Sequence, residues 1–253
     1  FDRSRMGNET SFGLGFSGNE MIGKFVAGND FNYVQAHATS IAASGKYNIS
    51  SCSSEVIASG RVQMKNYQAV DLINGLERHD GYTHAFFKSF TPALQNRIRQ
   101  YASQGGRILI SGSYTGSDMQ TEEEQAFLSD ILKLSYEPTG STAITRDINP
   151  EDSTVTERES IVYTSPNVTG LGLQFSYYNE LNAQHYAATH PEILKPVGNY
   201  AFTAMQYDTG TSAAVAYKST TYRSFVMGFP LECIIDESTR TSVLLGILKF
   251  LTD

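Results

Sequence analysis

The stretch that decides the fold runs from Phe90 to Leu134 and reads FTPALQNRIRQYASQGGRILISGSYTGSDMQTEEEQAFLSDILKL. Its pattern predicts a helix, a glycine stop, a short strand, a Gly/Ser-rich loop and a second helix. Thr91 can cap the first helix and Pro92 suits its first position, where the missing N–H costs nothing. Gly105 can end that helix in a left-handed conformation. The apolar run 108–110 indicates a strand buried on both faces.

The loop from Ser111 to Met119 leaves the carboxyl end of this strand, where ligands bind in open α/β sheets. Thr121 and Glu124 then fit the capping box of the next helix. The loop contains no cysteine, histidine or lysine. The sequence therefore gives a candidate site its position but not its chemistry.

The rest of the chain extends this α/β pattern. Apolar runs at 47–52 and 67–73 predict two more strands, which we expect beside strand 107–110 in one parallel sheet. Further along, a hairpin is predicted around Asp208-Thr209-Gly210, then a strand at 223–228 and a helix at about 236–251. We therefore predict an α/β, flavodoxin-like fold: a mainly parallel sheet flanked by helices, with an antiparallel C-terminal extension.

The domain organisation predicted is one α/β domain over residues 1–253. Residues 1–24 are rich in Gly, Ser and Asn and are interpreted as an irregular arm. Residues 138–160 are polar and rich in turn formers, which is typical of an insertion.

Composition excludes some classes of partner. The net charge is −7 and no run of Lys or Arg occurs, so a nucleic-acid partner is not expected. No apolar stretch is long enough to span a bilayer, so membrane insertion is not expected. The chain has 15 Tyr and no Trp, a composition that we interpret as favouring an exported protein.

The motif Gly112-Ser113-Tyr114-Thr115-Gly116 has the shape of a nucleophile elbow, with tyrosine at the position of the nucleophile. A tyrosine is a poor nucleophile because its pKa is near 10. A tight turn with capping hydroxyls would need the same residues. We expect this loop to border one crevice with the segment around Cys52. The candidate crevice residues are Ser53, Glu55, Ser113, Tyr114 and Asp118.

Other reactive side chains suggest no site. Cys52 and Cys233 are expected to be unbridged and buried. His37 is interpreted as a hydrogen-bonded residue beside an apolar helix face, and Asp71 as either paired or near a site. No zinc-ligand set and no nucleotide-binding motif was recognised, so no metal and no cofactor are predicted.

Several strings resemble a known family. They are FVAGNDFNY from Phe25, SCSSEV from Ser51, VDLING from Val70, GGRILISGSYTGSDM from Gly105 and GFPLECI from Gly228. They resemble a domain of secreted proteins of Bacteroides-type bacteria that are commonly labelled xanthan lyase-like. The architecture also resembles the class I glutamine amidotransferase-like fold. That resemblance implies a cysteine at the elbow, where Tyr114 stands, and a His-Glu pair near the C-terminal strands. Around 229–234 only Glu232 is found.

Two functions are therefore carried forward. The first is a non-catalytic module of an exported (periplasmic, cell-surface or extracellular), polysaccharide-associated protein, which binds glycan or packs on another domain of the same protein. The second is a hydrolase with an unconventional site at the 111–119 loop, built from Ser113, Asp118 and His37. The missing nucleophile favours the first.

Overall fold

The computed structural model describes residues 33–78, 88–137, 146–148, 155–157, 160–169, 172–179, 186–188 and 190–253. The predicted arm at 1–24 and most of the predicted insertion at 138–160 lie outside these residues. The single-domain prediction therefore stays a prediction.

Helices and strands alternate in the first half of the chain. The helices are α1 (Tyr33–Ala42), α2 (Ser54–Ala58), α3 (Pro92–Ser103), α4 (Glu122–Phe127), α5 (Pro166–Thr169) and α6 (Glu237–Thr252). The strands are β1 (Val70–Gly75), β2 (Arg107–Gly112), β3 (Leu134–Tyr136), β4 (Arg146–Ile148), β5 (Val155–Glu157), β6 (Ser160–Thr164), β7 (Gln174–Tyr177), β8 (Leu194–Pro196), β9 (Ala201–Tyr207), β10 (Ser212–Lys218) and β11 (Arg223–Met227). A π-helical turn, Leu128–Leu132, continues α4, and 3-10 turns lie at Met64–Asn66 and Leu231–Cys233.

The predicted caps are confirmed. The Thr91 side chain accepts a hydrogen bond from the backbone N–H of Leu94 at the start of α3. Thr121 and Glu124 form a capping box at the start of α4. Gly105 has a φ of +86°, the left-handed conformation expected of a glycine that ends a helix.

The main sheet is mixed. Its strand order is β1-β2-β11-β10-β9-β6-β7. Strands β1, β2 and β11 are parallel to one another. All four remaining pairs, from β11-β10 to β6-β7, are antiparallel. The prediction of a mainly parallel sheet is therefore wrong. Four strands from the C-terminal half of the chain extend the sheet beyond β11, and each of them pairs antiparallel with its neighbour.

One predicted strand is absent. Residues 46–53 have no regular secondary structure, so the expected strand at 47–52 is not formed. Most of these residues are exposed, and Cys52 is among them. The expectation that Cys52 is buried is wrong as well. Both cysteines are free, as predicted, and Cys233 is buried.

The core has two parts, one on each face of the sheet. Leu109 of β2 faces the part that includes Val243 and Leu244 of α6. Its neighbours Ile108 and Ile110 face the part that includes Leu94 and Ile98 of α3. All three β2 residues are fully buried, which confirms a strand covered on both faces and makes it a rigid base for the loop that follows.

Candidate functional site

The loop after β2 has the backbone of a strained elbow. Tyr114 has a φ of +65°, and among the described non-glycine residues only Lys133 shares a positive φ. This conformation is uncommon for a bulky residue and occurs most often at functional turns. The backbone N–H of Ser113 donates to the carbonyl of Gly75 at 2.8 Å, which ties the turn to the carboxyl end of β1.

Close packing explains the two glycines of the motif. A Cβ on Gly112 would lie 2.7 Å from Cβ of Asn74, and a Cβ on Gly116 would lie 2.5 Å from Cβ of Tyr136. Real Cβ atoms do not approach so closely. The glycines therefore let the turn contact both neighbouring segments directly.

The side chain of Tyr114 is buried, with an exposed fraction of 5%. The guanidinium carbon of Arg78 lies 4.5 Å from the centre of its ring. The ring of His190 is 5.4 Å away, centre to centre. Burial raises the pKa of Tyr114 to about 12; Arg78 opposes the rise and Glu192 adds to it. The phenol is therefore neutral at ordinary pH and unsuited to nucleophilic attack.

Glu192 connects the elbow to a distant part of the chain. Its carboxylate accepts hydrogen bonds from the backbone N–H groups of Gly116 at 2.6 Å and Ser117 at 2.9 Å. Burial raises the pKa of this carboxyl, although hydrogen bonds from Ser117 and Gly116 oppose the rise. The backbone N–H of Glu192 also donates to the carbonyl of Gly228, just after β11.

His190 and Glu192 were not among the predicted site residues. A His-Glu pair was expected near the C-terminal strands, around 229–234, whereas His190-Pro191-Glu192 lies in the segment before β8. The spacing of one residue between histidine and glutamate was the signal that could have found them. Burial and the charge of Arg78 lower the pKa of His190, so its imidazole is neutral near pH 7.

Asp118 stabilises the turn. Its carboxylate accepts a hydrogen bond from the backbone N–H of Ser89 at 2.9 Å. The ammonium of Lys88 donates to the carbonyl of Asp118 at 2.8 Å and forms an ion pair with Glu124. These contacts join the turn to the chain segment before α3 and to the start of α4.

The structure places the five predicted crevice residues on two different elements. Ser113, Tyr114 and Asp118 share the elbow turn. Ser53 and Glu55 are exposed at the start of α2, which packs against α3. The expectation that they border one crevice depended on the strand at 47–52, which is absent.

A second polar cluster lies under α1. The imidazole of His37 donates from Nδ1 to Asp71 at 2.7 Å and from Nε2 to Glu232 at 3.1 Å. The hydroxyl of Tyr186 donates to the other carboxylate oxygen of Glu232. Because both ring nitrogens of His37 contact these carboxylates, the set of Ser113, Asp118 and His37 expected for a hydrolase is not assembled.

No metal site or membrane span is found in the part of the chain that the structure describes. Within it, no group of three His, Cys, Asp or Glu side chains could hold a metal ion. None of its helices is long and apolar enough to cross a membrane. A shallow depression lies beside Met64 and Tyr101, near the amino ends of β1 and β2 and so opposite the elbow.

Comparisons with known proteins give similarity in fold. Neither a protein-family model nor a curated protein sequence matches the chain. The cytoplasmic protein STM3548 from Salmonella typhimurium has a TM-score of 0.50 at 13% identity, over 86% of this chain and 86% of that chain. A ThuA-like protein from Parabacteroides merdae has a TM-score of 0.47 at 13% identity, over 88% of this chain and 86% of that chain.

Similar structures also include a part of a larger enzyme. A β-galactosidase from the Antarctic haloarchaeon Halorubrum lacusprofundi has a TM-score of 0.42 at 16% identity, over 76% of this chain. The chain spans about a quarter of the length of the first solved structures that it matches, this one among them. At such low identities the likeness concerns the fold alone. No match supports the xanthan lyase-like label or a secreted location.

Proposed function

We propose that this chain is a non-catalytic, glutamine amidotransferase-like module of an exported, polysaccharide-associated protein, and that it binds glycan at the elbow edge of its sheet. The observation that carries the proposal is the buried tyrosine at the nucleophile position. Acyl transfer from an elbow needs a side chain that a neighbouring base can activate. Tyr114 is instead a neutral phenol, with a pKa of about 12, packed under Arg78.

A ligand role is favoured by the side chains around this tyrosine. His190 is exposed, while Arg78, Ser117 and Tyr136 are partly exposed. Together they form a rim of hydrogen-bonding and aromatic groups at the carboxyl edge, where α/β sheets bind ligands. Aromatic rings and polar groups side by side suit a sugar, which has apolar faces and hydroxyl edges.

Two unpaired hydroxyls add to this argument. Ser111 and Ser113 are fully buried, and neither hydroxyl oxygen has a hydrogen-bond partner. If the turn had only a structural role, backbone groups would be expected to pair with these hydroxyls. The hydroxyl of Thr115 is paired in this way, since it donates to the carbonyl of Gly112 at 3.2 Å. Unpaired buried hydroxyls are uncommon, so the packing of this turn leaves hydrogen-bonding capacity unused beside the rim.

Isothermal titration calorimetry tests binding and catalysis in one experiment. The probes are neutral and acidic oligosaccharides of galactose, xylose, mannose and galacturonate. Binding without catalysis gives heats that saturate and return to baseline, whereas turnover gives a sustained heat flow. We expect saturable binding of at least one probe and no sustained heat.

The control variant is Tyr163→Phe, which removes a hydroxyl from an exposed tyrosine of β6. Sustained heat from the wild-type chain that disappears in Tyr114→Phe but persists in Tyr163→Phe would overturn the non-catalytic assignment. A chain that binds none of the probes would overturn the glycan-binding part and leave packing on a partner domain as the function.

A further inference from the structure

Among the described residues, Arg78 is a charged side chain without an anionic partner. It follows β1, and its guanidinium lies 4.5 Å from the centre of the Tyr114 ring. Its Nε atom is buried and has no hydrogen-bond acceptor. Across the described residues, no carboxylate forms an ion pair with it. A partly buried arginine with an unpaired donor is costly unless an anion completes it.

Other donors beside the elbow also lack acceptors. The amide nitrogen of Asn74 and the hydroxyl of Ser113 are buried and unpaired. Asn74 packs against Gly112 at the base of the turn, and Ser113 hydrogen-bonds Gly75 through its backbone. Arg78, Asn74 and Ser113 thus offer unused donors from the ends of β1 and β2, which are adjacent parallel strands.

Among the described residues, neither nearby carboxylate forms an ion pair with Arg78. Glu192 accepts from Gly116 and Ser117, and Asp118 accepts from Ser89. The positive charge of Arg78 therefore remains available at the elbow edge, although the whole chain carries a net charge of −7.

We propose that the ligand of the elbow edge is a sugar that carries a carboxylate, a uronate, with Arg78 as the ion-pair partner of that carboxylate. This rests on the proposed function, since it names the class of glycan bound at the same site. A guanidinium matches a carboxylate with two parallel hydrogen bonds, which gives both affinity and orientation.

The test compares two trisaccharides of the same linkage, one of galacturonate and one of galactose, by titration calorimetry with the wild-type chain. They differ only at C6, which is a carboxylate in galacturonate and a hydroxymethyl group in galactose. We expect the galacturonate trisaccharide to bind at least tenfold more tightly. Arg78→Gln should abolish that preference. Arg78→Lys, which keeps the charge but cannot form two parallel hydrogen bonds to a carboxylate, should weaken the preference partly.

The matched control is Arg61→Gln, which removes the same charge from an exposed residue just after α2. It should leave the preference unchanged, and thermal unfolding should show that all variants are folded. Sodium acetate and inorganic phosphate are titrated separately to separate a bound sugar from a bound anion.

Each outcome distinguishes the inference from the proposed function. Equal affinity for the two trisaccharides would overturn the inference and leave glycan binding intact. Binding of neither would overturn both. Acetate or phosphate that binds as tightly as the galacturonate trisaccharide, or a preference that survives Arg78→Gln, would also overturn the inference.

Discussion

At the scale of single residues, His37 has the most unusual environment in the described chain. It is 2% exposed and lies between the carboxylates of Asp71 and Glu232. Burial alone would lower its pKa, but the two carboxylates raise the pKa to about 10. The imidazolium therefore connects α1 to β1 through Asp71 and to the turn after β11 through Glu232.

We predict that His37→Gln destabilises the chain by about 3 kcal/mol at pH 7, because removing one partner leaves buried carboxylates uncompensated. The raised pKa sets the pH dependence. The contribution of His37 is complete below about pH 6.5, the pKa of an unfolded histidine, and is lost as the pH rises through about 10. Urea unfolding of both chains between these pH values measures the difference.

The control is Thr39→Ala on the exposed face of the same helix, which should change stability by less than about 0.5 kcal/mol. Equal stability of wild type and His37→Gln at pH 7 would contradict this account. So would a difference that grows, instead of shrinking, toward pH 10.

The elbow shows how far single residues could be predicted. The spacing of Gly112 and Gly116 indicated a tight turn with Tyr114 at its centre, and the structure has that turn. The neighbours of Tyr114 could not be predicted in the same way. Arg78 and His190 come from segments far apart in sequence, and their approach depends on the whole sheet.

At the scale of elements, prediction succeeded where the signal was local. The caps at Thr91 and Thr121 depend only on residues within the next turn, so the sequence specifies them directly. The run at 47–52 has no such local support. A strand forms only with a partner, and polar residues such as Asn48, Ser50 and Ser51 give this run little apolar surface to bury.

We predict that Gly116→Ala destabilises the chain by about 1–3 kcal/mol, because the new Cβ would lie 2.5 Å from Cβ of Tyr136 in β3. The elbow turn and β3 would have to move apart, and the hydrogen bond from Gly116 to Glu192 would lengthen. Thermal unfolding measures the cost.

Gln120→Ala serves as the control for this element, since Gln120 is exposed just beyond the same turn. Its effect should stay below about 0.5 kcal/mol. A Gly116→Ala chain as stable as the Gln120→Ala chain would show that the turn does not depend on this close contact.

At the scale of the whole molecule, the sheet differs from the predicted one in the direction of its strands, because antiparallel pairs outnumber parallel pairs. The parallel pairing of β1 with β2 follows from the helix between them, because such crossovers join parallel strands. The pairing of β11 with β2 has no local signal, since Phe225 is opposite Leu109 and the two residues are 116 positions apart in sequence. The antiparallel strands β9 and β10 were predicted as a hairpin, but nothing in that pattern shows that they extend the same sheet.

The mixed sheet still produces the feature on which the proposed function depends. The parallel strands β1, β2 and β11 end at one edge. Glu192 contacts both the elbow after β2 and Gly228 after β11, so residues from three parts of the chain meet there. The depression beside Met64 and Tyr101 lies at the opposite edge and is the alternative binding surface with which the elbow edge can be compared.

Hydrogen exchange read by mass spectrometry, with and without the galacturonate trisaccharide, tests the central claim most directly. The account predicts slower exchange in peptides that cover the elbow turn 113–118 and residues 190–192, with the trisaccharide recovered intact. Slower exchange confined to 63–67 and 100–104, around the opposite depression, would contradict it, as would an unchanged elbow or a cleaved trisaccharide.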